Sequence, residues 1–112
     1  MKNSEIKFQI DLDEKSFPKT IKWDASDKEG TGLDETTSIS LNIWDKKNHS
    51  TLRIDLWTEE MSVVEMKRFY IDILGGMAQT ILNSTGDEFI SEEIKELCDR
   101  LVNHVNEENK KE

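Results

Sequence analysis

Thr51–Tyr70 reads TLRIDLWTEEMSVVEMKRFY, and its hydrophobic spacing changes partway along. Leu52, Ile54 and Leu56 alternate with Thr51, Arg53 and Asp55, the two-residue period of a strand with one dry and one wet face. Further on, Met66, Phe69, Tyr70, Ile73, Leu74, Met77 and Ile81 recur at i, i+3, i+4 and i+7, the spacing of an amphipathic helix. Ser62 and Glu65 stand at the positions of a capping box, which sets the helix start. A strand therefore gives way to a helix within this stretch.

Upstream, Ile39, Leu41 and Ile43 alternate in SISLNIWD, and DKKNHS supplies a turn into the strand just described. The pairing that keeps both apolar sets on one side puts Ile43 opposite Leu52, Leu41 opposite Ile54 and Ile39 opposite Leu56. A one-residue slip would turn one whole set outward. Nearer the N-terminus, Ile6, Phe8, Ile10 and Leu12 share a face of EIKFQIDLDE, and Ile21 and Trp23 share a face of KTIKWDA. These two segments are expected to pair antiparallel, with Ile10 near Trp23. Between residues 24 and 37, DASDKEGTGLDETT is acidic, contains two glycines and lacks aromatics, and reads as an exposed, mobile loop.

Downstream, NSTG ends the first helix, and a second is expected from about Ser91, with Ile90, Ile94, Leu97, Leu101 and Val105 as its stripe. Glu92 and Glu93 in its first turn suit the helix dipole. NEENKKE is expected to fray.

The expected fold is α+β: a four-stranded antiparallel meander followed by two helices packed on one face, in one domain over 1–112. The strands lie near 4–13, 19–25, 37–45 and 50–58, and the helices near 61–83 and 90–106. The core expected from this arrangement is Ile6, Phe8, Ile10, Leu12, Ile21, Trp23, Ile39, Leu41, Ile43, Leu52, Ile54 and Leu56 against Phe69, Ile73, Met77, Leu97 and Leu101.

Apolar and charged residues each make up 35% of the 112 residues, and the net charge is −9. The apolar residues are periodic, which separates the chain from disordered sequences. A surface this acidic disfavours a nucleic-acid ligand and an anionic membrane, both of which select cations. MKNSEIKFQIDLDE has no apolar signal core and no run reaches membrane-spanning length, so a cytoplasmic location is expected. Cys98 is the single cysteine, which precludes an internal disulfide, and it borders a helical stripe as a small core side chain does.

Three features are candidates for function. The first is a pair of tryptophans. Trp44 and Trp57 share parity with Asn42 and Asp55, so they fall on the wet side of the hairpin. The expected register sets Trp44 opposite Thr51 and Trp57 opposite Ser38, about 20 Å apart at ~3.3 Å per residue. They cannot form one aromatic cage. Arg53 lies between them, and Trp and Arg are the side chains most enriched at binding hot spots. Edge lids covered by neighbours are the alternative reading.

The second is the first helix. Val64, Ile71, Gly75, Ala78 and Leu82 form another stripe at heptad-like spacing, leaving only a narrow polar sector. That face is expected to pack on the second helix or on another subunit of a homo-oligomer. Gly75 and Gly76 together cost the helix about 2 kcal/mol relative to alanine, and small residues permit close backbone approach.

The third is the acidic loop. Asp24, Asp27, Glu29, Asp34 and Glu35, with Ser26, supply oxygen ligands of the kind that hold Ca²⁺. The EF-hand spacing fails, however, because Lys28 stands at the fifth position and the sixth is not glycine. A solvated loop explains the same residues. No nucleophile stands at a recognisable spacing from His49 or His104, no cluster of soft metal ligands is present and no cofactor motif occurs, so an enzyme is not expected.

SEIKF at 4–8, IKWDA at 21–25 and above all TLRIDLWTEEMSVVEMKRFY at 51–70 resemble the gliding motility-associated GldC family of Bacteroidetes. The resemblance runs over nearly the whole chain and is weakest in the acidic loop and the C-terminal third. It implies a non-enzymatic accessory of the gliding machinery, tied to type IX secretion and acting through protein partners. It supplies no catalytic residues to carry over. Four strands followed by two helices is also similar to the element order of the export chaperone SecB, which implies a cytosolic, oligomeric chaperone module as an alternative role.

Overall fold

The computed structural model describes residues 2–110. The chain is α+β, with five strands in two small antiparallel sheets followed by two helices. The strands are β1 (Ile6–Leu12), β2 (Pro18–Ala25), β3 (Asp34–Thr36), β4 (Ser38–Asp45) and β5 (Ser50–Trp57), and the helices are α1 (Val63–Thr85) and α2 (Glu88–Lys110). The chain forms two compact units, residues 1–61 and 62–112.

In the first unit β1, β2 and β3 make one sheet, and β4 and β5 make the other. The meander is recognisable, but its third strand is divided at Thr37: the first part, β3, pairs with β2 and the second part, β4, pairs with β5. β3 corrects the expectation of a loop over 24–37. Asp-Glu-Thr carries no apolar alternation, and its place in the sheet comes from backbone pairing alone, Ile21 with Thr36 and Trp23 with Asp34.

The β4–β5 hairpin has the register that alternation demands, with Ile43 opposite Leu52, Leu41 opposite Ile54 and Ile39 opposite Leu56. Asp45 fixes the turn. Its carboxylate accepts from Lys47 N (3.0 Å), Asn48 N (3.4 Å) and Asn48 Nδ2 (2.8 Å), and its carbonyl accepts from His49 N (2.9 Å). His49 takes a left-handed backbone (φ 53°), which lets a four-residue loop close on the pair Asp45–Ser50.

The β1–β2 register departs from expectation by two residues: Trp23 faces Phe8, and Ile10 faces Ile21. Asp13 explains the shift. Its carboxylate accepts from Lys15 N and Phe17 N, and Asp13 N donates to Phe17 O at 2.8 Å, so the turn closes within 13–17 and Pro18 already belongs to β2. A two-residue shift leaves every side chain on its expected face, so alternation alone could not detect it. A bulge between Asp11 and Leu12 takes up the remaining mismatch.

The second unit is a helical hairpin. Ser62 Oγ accepts from Glu65 N (3.1 Å) and Ser62 N donates to Glu65 Oε1 (3.3 Å), completing the capping box. α1 runs to Thr85, two residues past the expected 83, and stops at Gly86, the glycine of NSTG, whose left-handed backbone (φ 74°) carries its N–H back to Leu82 O. α2 starts at Glu88, earlier than Ser91, because Asp87 caps it: Asp87 Oδ1 accepts from Ile90 N at 3.0 Å. Ser91 is instead buried, and its hydroxyl donates to Ala78 O at 2.9 Å. The expected fraying is not seen through Lys110; the last two residues of that tail, 111 and 112, lie outside the described residues. Glu108 there takes Lys67 Nζ at 2.8 Å.

The expected core is the part that needs most correction. Ile21 and Ala78 are the fully buried apolar side chains among the described residues. Ile6 is 71% exposed, and Leu12, Ile43, Leu52, Ile54 and Met77 are each about half exposed. Period fixes which face a side chain takes. It does not fix how much material covers that face, and a two-stranded ribbon covers little of itself.

Three outcomes follow. Ser62→Ala should lower stability by about 1 kcal/mol in chemical denaturation. Ala78→Leu should cost about 1–3 kcal/mol, because α2 leaves no room there. Hydrogen bonds from Lys47 N–H, then from the Asn48 side chain and Asn48 N–H, hold the Asp45 carboxyl below the usual aspartate range. A lowered folded-state value means that the turn's stabilisation is complete above the ordinary aspartate pKa and fades as pH falls through the lower folded value. NMR titration of the Asp45 carboxyl should therefore show a midpoint below the ordinary aspartate value.

Candidate functional site

The wet side of the β4–β5 hairpin carries Ser40, Asn42 and Trp44 on one strand and Thr51, Arg53, Asp55 and Trp57 on the other. Trp44 stands opposite Thr51 beside the turn, and Trp57 stands opposite Ser38 at the far end. They are 63% and 45% exposed. Neither is a covered lid. Trp44 has a tilted contact with His49, with ring centroids 6.4 Å apart. Trp57, with Lys15, Ser16, Phe17, Pro18, Asp55 and Leu56, lines an open groove of about 270 Å³.

Arg53 does not stack on either tryptophan. Its Nη2 reaches both Asp55 oxygens, at 3.1 and 3.2 Å, while Ser40 Oγ donates to Asp55 Oδ1 at 2.9 Å. The middle of this face is thus a hydrogen-bonded patch of Ser40, Asp55 and Arg53 with an aromatic ring at each end. Such a surface offers flat apolar area at two points and charge between them.

The acidic loop is organised by Lys28, which in the sequence figured only as a break in the EF-hand spacing. Lys28 is only 7% exposed at its side chain, and its ammonium lies 2.9 Å from Asp34 Oδ2 and 3.7 Å from Asp24 Oδ1. The same ammonium sits 5.7 Å from the Trp23 ring centroid, a cation–π contact. Asp27 accepts from Ser4 Oγ at 3.0 Å. Among the described residues no three carboxylates, histidines or cysteines converge in a group that could hold a metal ion. Asp24 and Asp34 share the lysine, Asp27 points to Ser4, and Glu29 and Glu35 are exposed. The signal available in the sequence was the lysine placed between acids four residues before it and six after.

On α1 the second stripe is divided. Ala78 is fully buried and its carbonyl accepts from Ser91; the Ile71 carbonyl takes the Cys98 thiol at 3.9 Å. Leu82 is half-buried and Val64 about half exposed. Val64 and Ile71 face Val102 and Val105 of α2 across a groove. Met77 and Ile81, from the first stripe, face Ile90 and Ile94. So α2 straddles the boundary between the stripes. Gly75 and Gly76 are exposed, and a Cβ added at either would meet no atom within 4 Å. Among the described residues, nothing uses the close approach these glycines permit.

The chain matches the family model described as gliding motility-associated protein GldC-like over residues 18–107. The chain belongs to the GldC-like family, which is associated with gliding motility and is not a known enzyme family. No curated protein and no solved structure matches it significantly. Among the described residues, no helix is long and apolar enough to cross a membrane.

The glycines and the lysine each give a test. The double change Gly75→Ala and Gly76→Ala should raise the stability of the isolated chain by about 2 kcal/mol, read by denaturant unfolding, because helix propensity improves and nothing is displaced. Lys28→Ala should leave Asp24 and Asp34 facing each other and increase proteolysis within 26–33, with a loss on the order of 1 kcal/mol in global stability, the pair being partly solvated.

Proposed function

We propose that this chain is a non-enzymatic accessory of the gliding machinery and its associated type IX secretion. In this reading it works in the cytoplasm by protein–protein contact and assembles with copies of itself. The observation that carries the reading is the hairpin's wet face: Trp44 largely exposed and Trp57 about half exposed, with Arg53, Asp55 and Ser40 hydrogen-bonded between them. Burying large aromatics stabilises a fold by several kcal/mol, and a chain with so few fully buried side chains leaves these two outside. Exposed aromatic area that the fold does not use is available to a partner.

A second reading is the chaperone-like module. It is favoured by the opposite face of the same ribbon, where Ile43, Leu52 and Ile54 are about half exposed. Unfolded clients are bound through such adaptable apolar surface.

Affinity capture from the native cell, with the wild-type chain and with the double variant Trp44→Ala and Trp57→Ala, separates these readings. A single stoichiometric partner, lost in the variant while circular dichroism stays unchanged, is the outcome expected of a machinery component. Many unrelated clients retained by the variant would favour the chaperone. If the variant fully restores gliding to cells lacking the native chain, the tryptophans are not the contact.

A further inference from the structure

The groove beside Trp57 lies within the first unit and has two walls. One is residues 15–18 of the β1–β2 turn, and the other is residues 55–57 of β5. Phe17 and Trp57 are each about half exposed, and Pro18 and Leu56 are half-buried, so the lining is mainly apolar and open to solvent. The turn is braced. The Asp13 carboxylate accepts from Lys15 N (2.8 Å) and Phe17 N (3.0 Å), and Ser16 N donates to Asp13 O (3.0 Å). Ser16 is thereby held in the left-handed region (φ 65°), where serine is uncommon. A groove whose wall is already fixed needs little ordering on binding.

The polar side chains around that lining differ in what they have left to offer. Asp55 is engaged by Arg53 and Ser40. Among the described residues the Trp57 indole N–H, the Ser16 hydroxyl and the Lys15 ammonium have no hydrogen-bond or ion partner. The uncommitted side-chain groups at this groove can therefore all donate, and its one carboxylate is committed elsewhere.

Donors over an apolar lining select a ligand by what it lacks. An ordinary peptide brings one N–H with each C=O, and an N–H pressed into this lining would lose its water without gaining an acceptor side chain. A proline residue brings a C=O and no N–H. Its ring also offers flat apolar area to Trp57 and Phe17. A run of prolines is extended before it binds, so little chain entropy is lost on docking.

We propose that this groove binds a proline-rich segment of another protein in the polyproline II conformation, with an acidic residue beside the prolines meeting Lys15. The inference rests on the reading that Trp57 contacts a partner, and it gives that partner's chemistry. The chain holds a single proline, Pro18, which is part of the wall, so a second copy cannot supply the ligand. Arg53 neutralises Asp55 at 3.1 Å, which leaves Lys15 as the uncompensated charge of the groove and an acid as its complement. The groove beside Val64 and Val102 offers free acceptors as well as donors, from Asn106 and Asn109, and makes no such selection.

NMR titration of the whole chain with blocked decaproline tests the proposal. The Trp57 indole N–H resonance should shift and saturate at submillimolar peptide, while that of Trp44 stays in place. A blocked glycine–serine peptide of equal length, which has N–H groups and no rings, should move neither. Trp57→Ala and Phe17→Ala should each weaken binding by about tenfold or more, read from backbone amide shifts with circular dichroism confirming the fold. Trp57→Phe keeps a ring and removes the donor, and should weaken binding by a smaller factor. One aspartate added to decaproline should tighten binding several-fold at one of its two ends, and Lys15→Ala should abolish that gain.

No shift at millimolar decaproline, equal shifts from the glycine–serine peptide, or shifts that survive Trp57→Ala overturn the proposal. An aspartate without effect at either end overturns its acidic part. Affinity capture with the double tryptophan variant then separates the two levels. A partner lost in that variant, with decaproline inert, leaves the proposed function standing and the ligand wrong; a partner retained in it overturns both.

Discussion

The turn held by the Asp45 carboxylate sets the phase for everything on the hairpin. Once Asp45 and Ser50 are paired, each position on β4 has one partner on β5 and one of two faces. Leu41 and Ile54 then take one side together, and Trp44, Arg53 and Trp57 take the other. The same phase decides which backbone groups of β5 point into the ribbon and which point away. Three local hydrogen bonds to one carboxylate therefore fix the composition of two surfaces and one edge. A shift by a single position would turn one strand over relative to the other, putting its apolar side chains among the charges and its tryptophan on the apolar side.

How much was legible in the sequence follows from the range of the signal. Alternation is local, so the β4–β5 register could be read from Ile39–Leu56 and holds pair by pair. The β1–β2 register could be read only to within a shift of two, because such a shift preserves parity; the Asp13 side chain, bonded to Lys15 and Phe17, decides it. β3 carries no side-chain pattern at all, since Asp34–Thr36 joins the sheet through its backbone. Helix starts depended on recognising the cap. Ser62 was visible through Glu65, whereas Asp87 was overlooked because Ser91 looked like a better start. Burial was the least legible quantity, because Ile43 and Leu52 have the pattern of core residues without the cover.

The candidate surface divides in the same way. The position of Trp44 and Trp57 on the wet face came from parity and stands. The partner of Arg53 did not, because Asp55 lies two residues along on the same face and an ion pair outcompetes stacking on a more distant ring. Lys28 illustrates a further limit. A lysine among acids reads as one more solvated charge, and only the fold around Trp23 reveals that its ammonium is enclosed. Family membership fixes the biological setting in gliding motility, while the chemistry of contact has to be read from these side chains.

The two-residue link between the helices has an electrical consequence. Gly86 and Asp87 fold α2 back along α1, so the two peptide macrodipoles run in opposite directions and largely cancel at a distance. The far field of the helical unit is therefore that of its side chains, and an approaching molecule senses carboxylates rather than helix poles. At the open end, Lys67 crosses to Glu108 and Lys110 stands in the last turn, so positive charge gathers near the carbonyl terminus of α2.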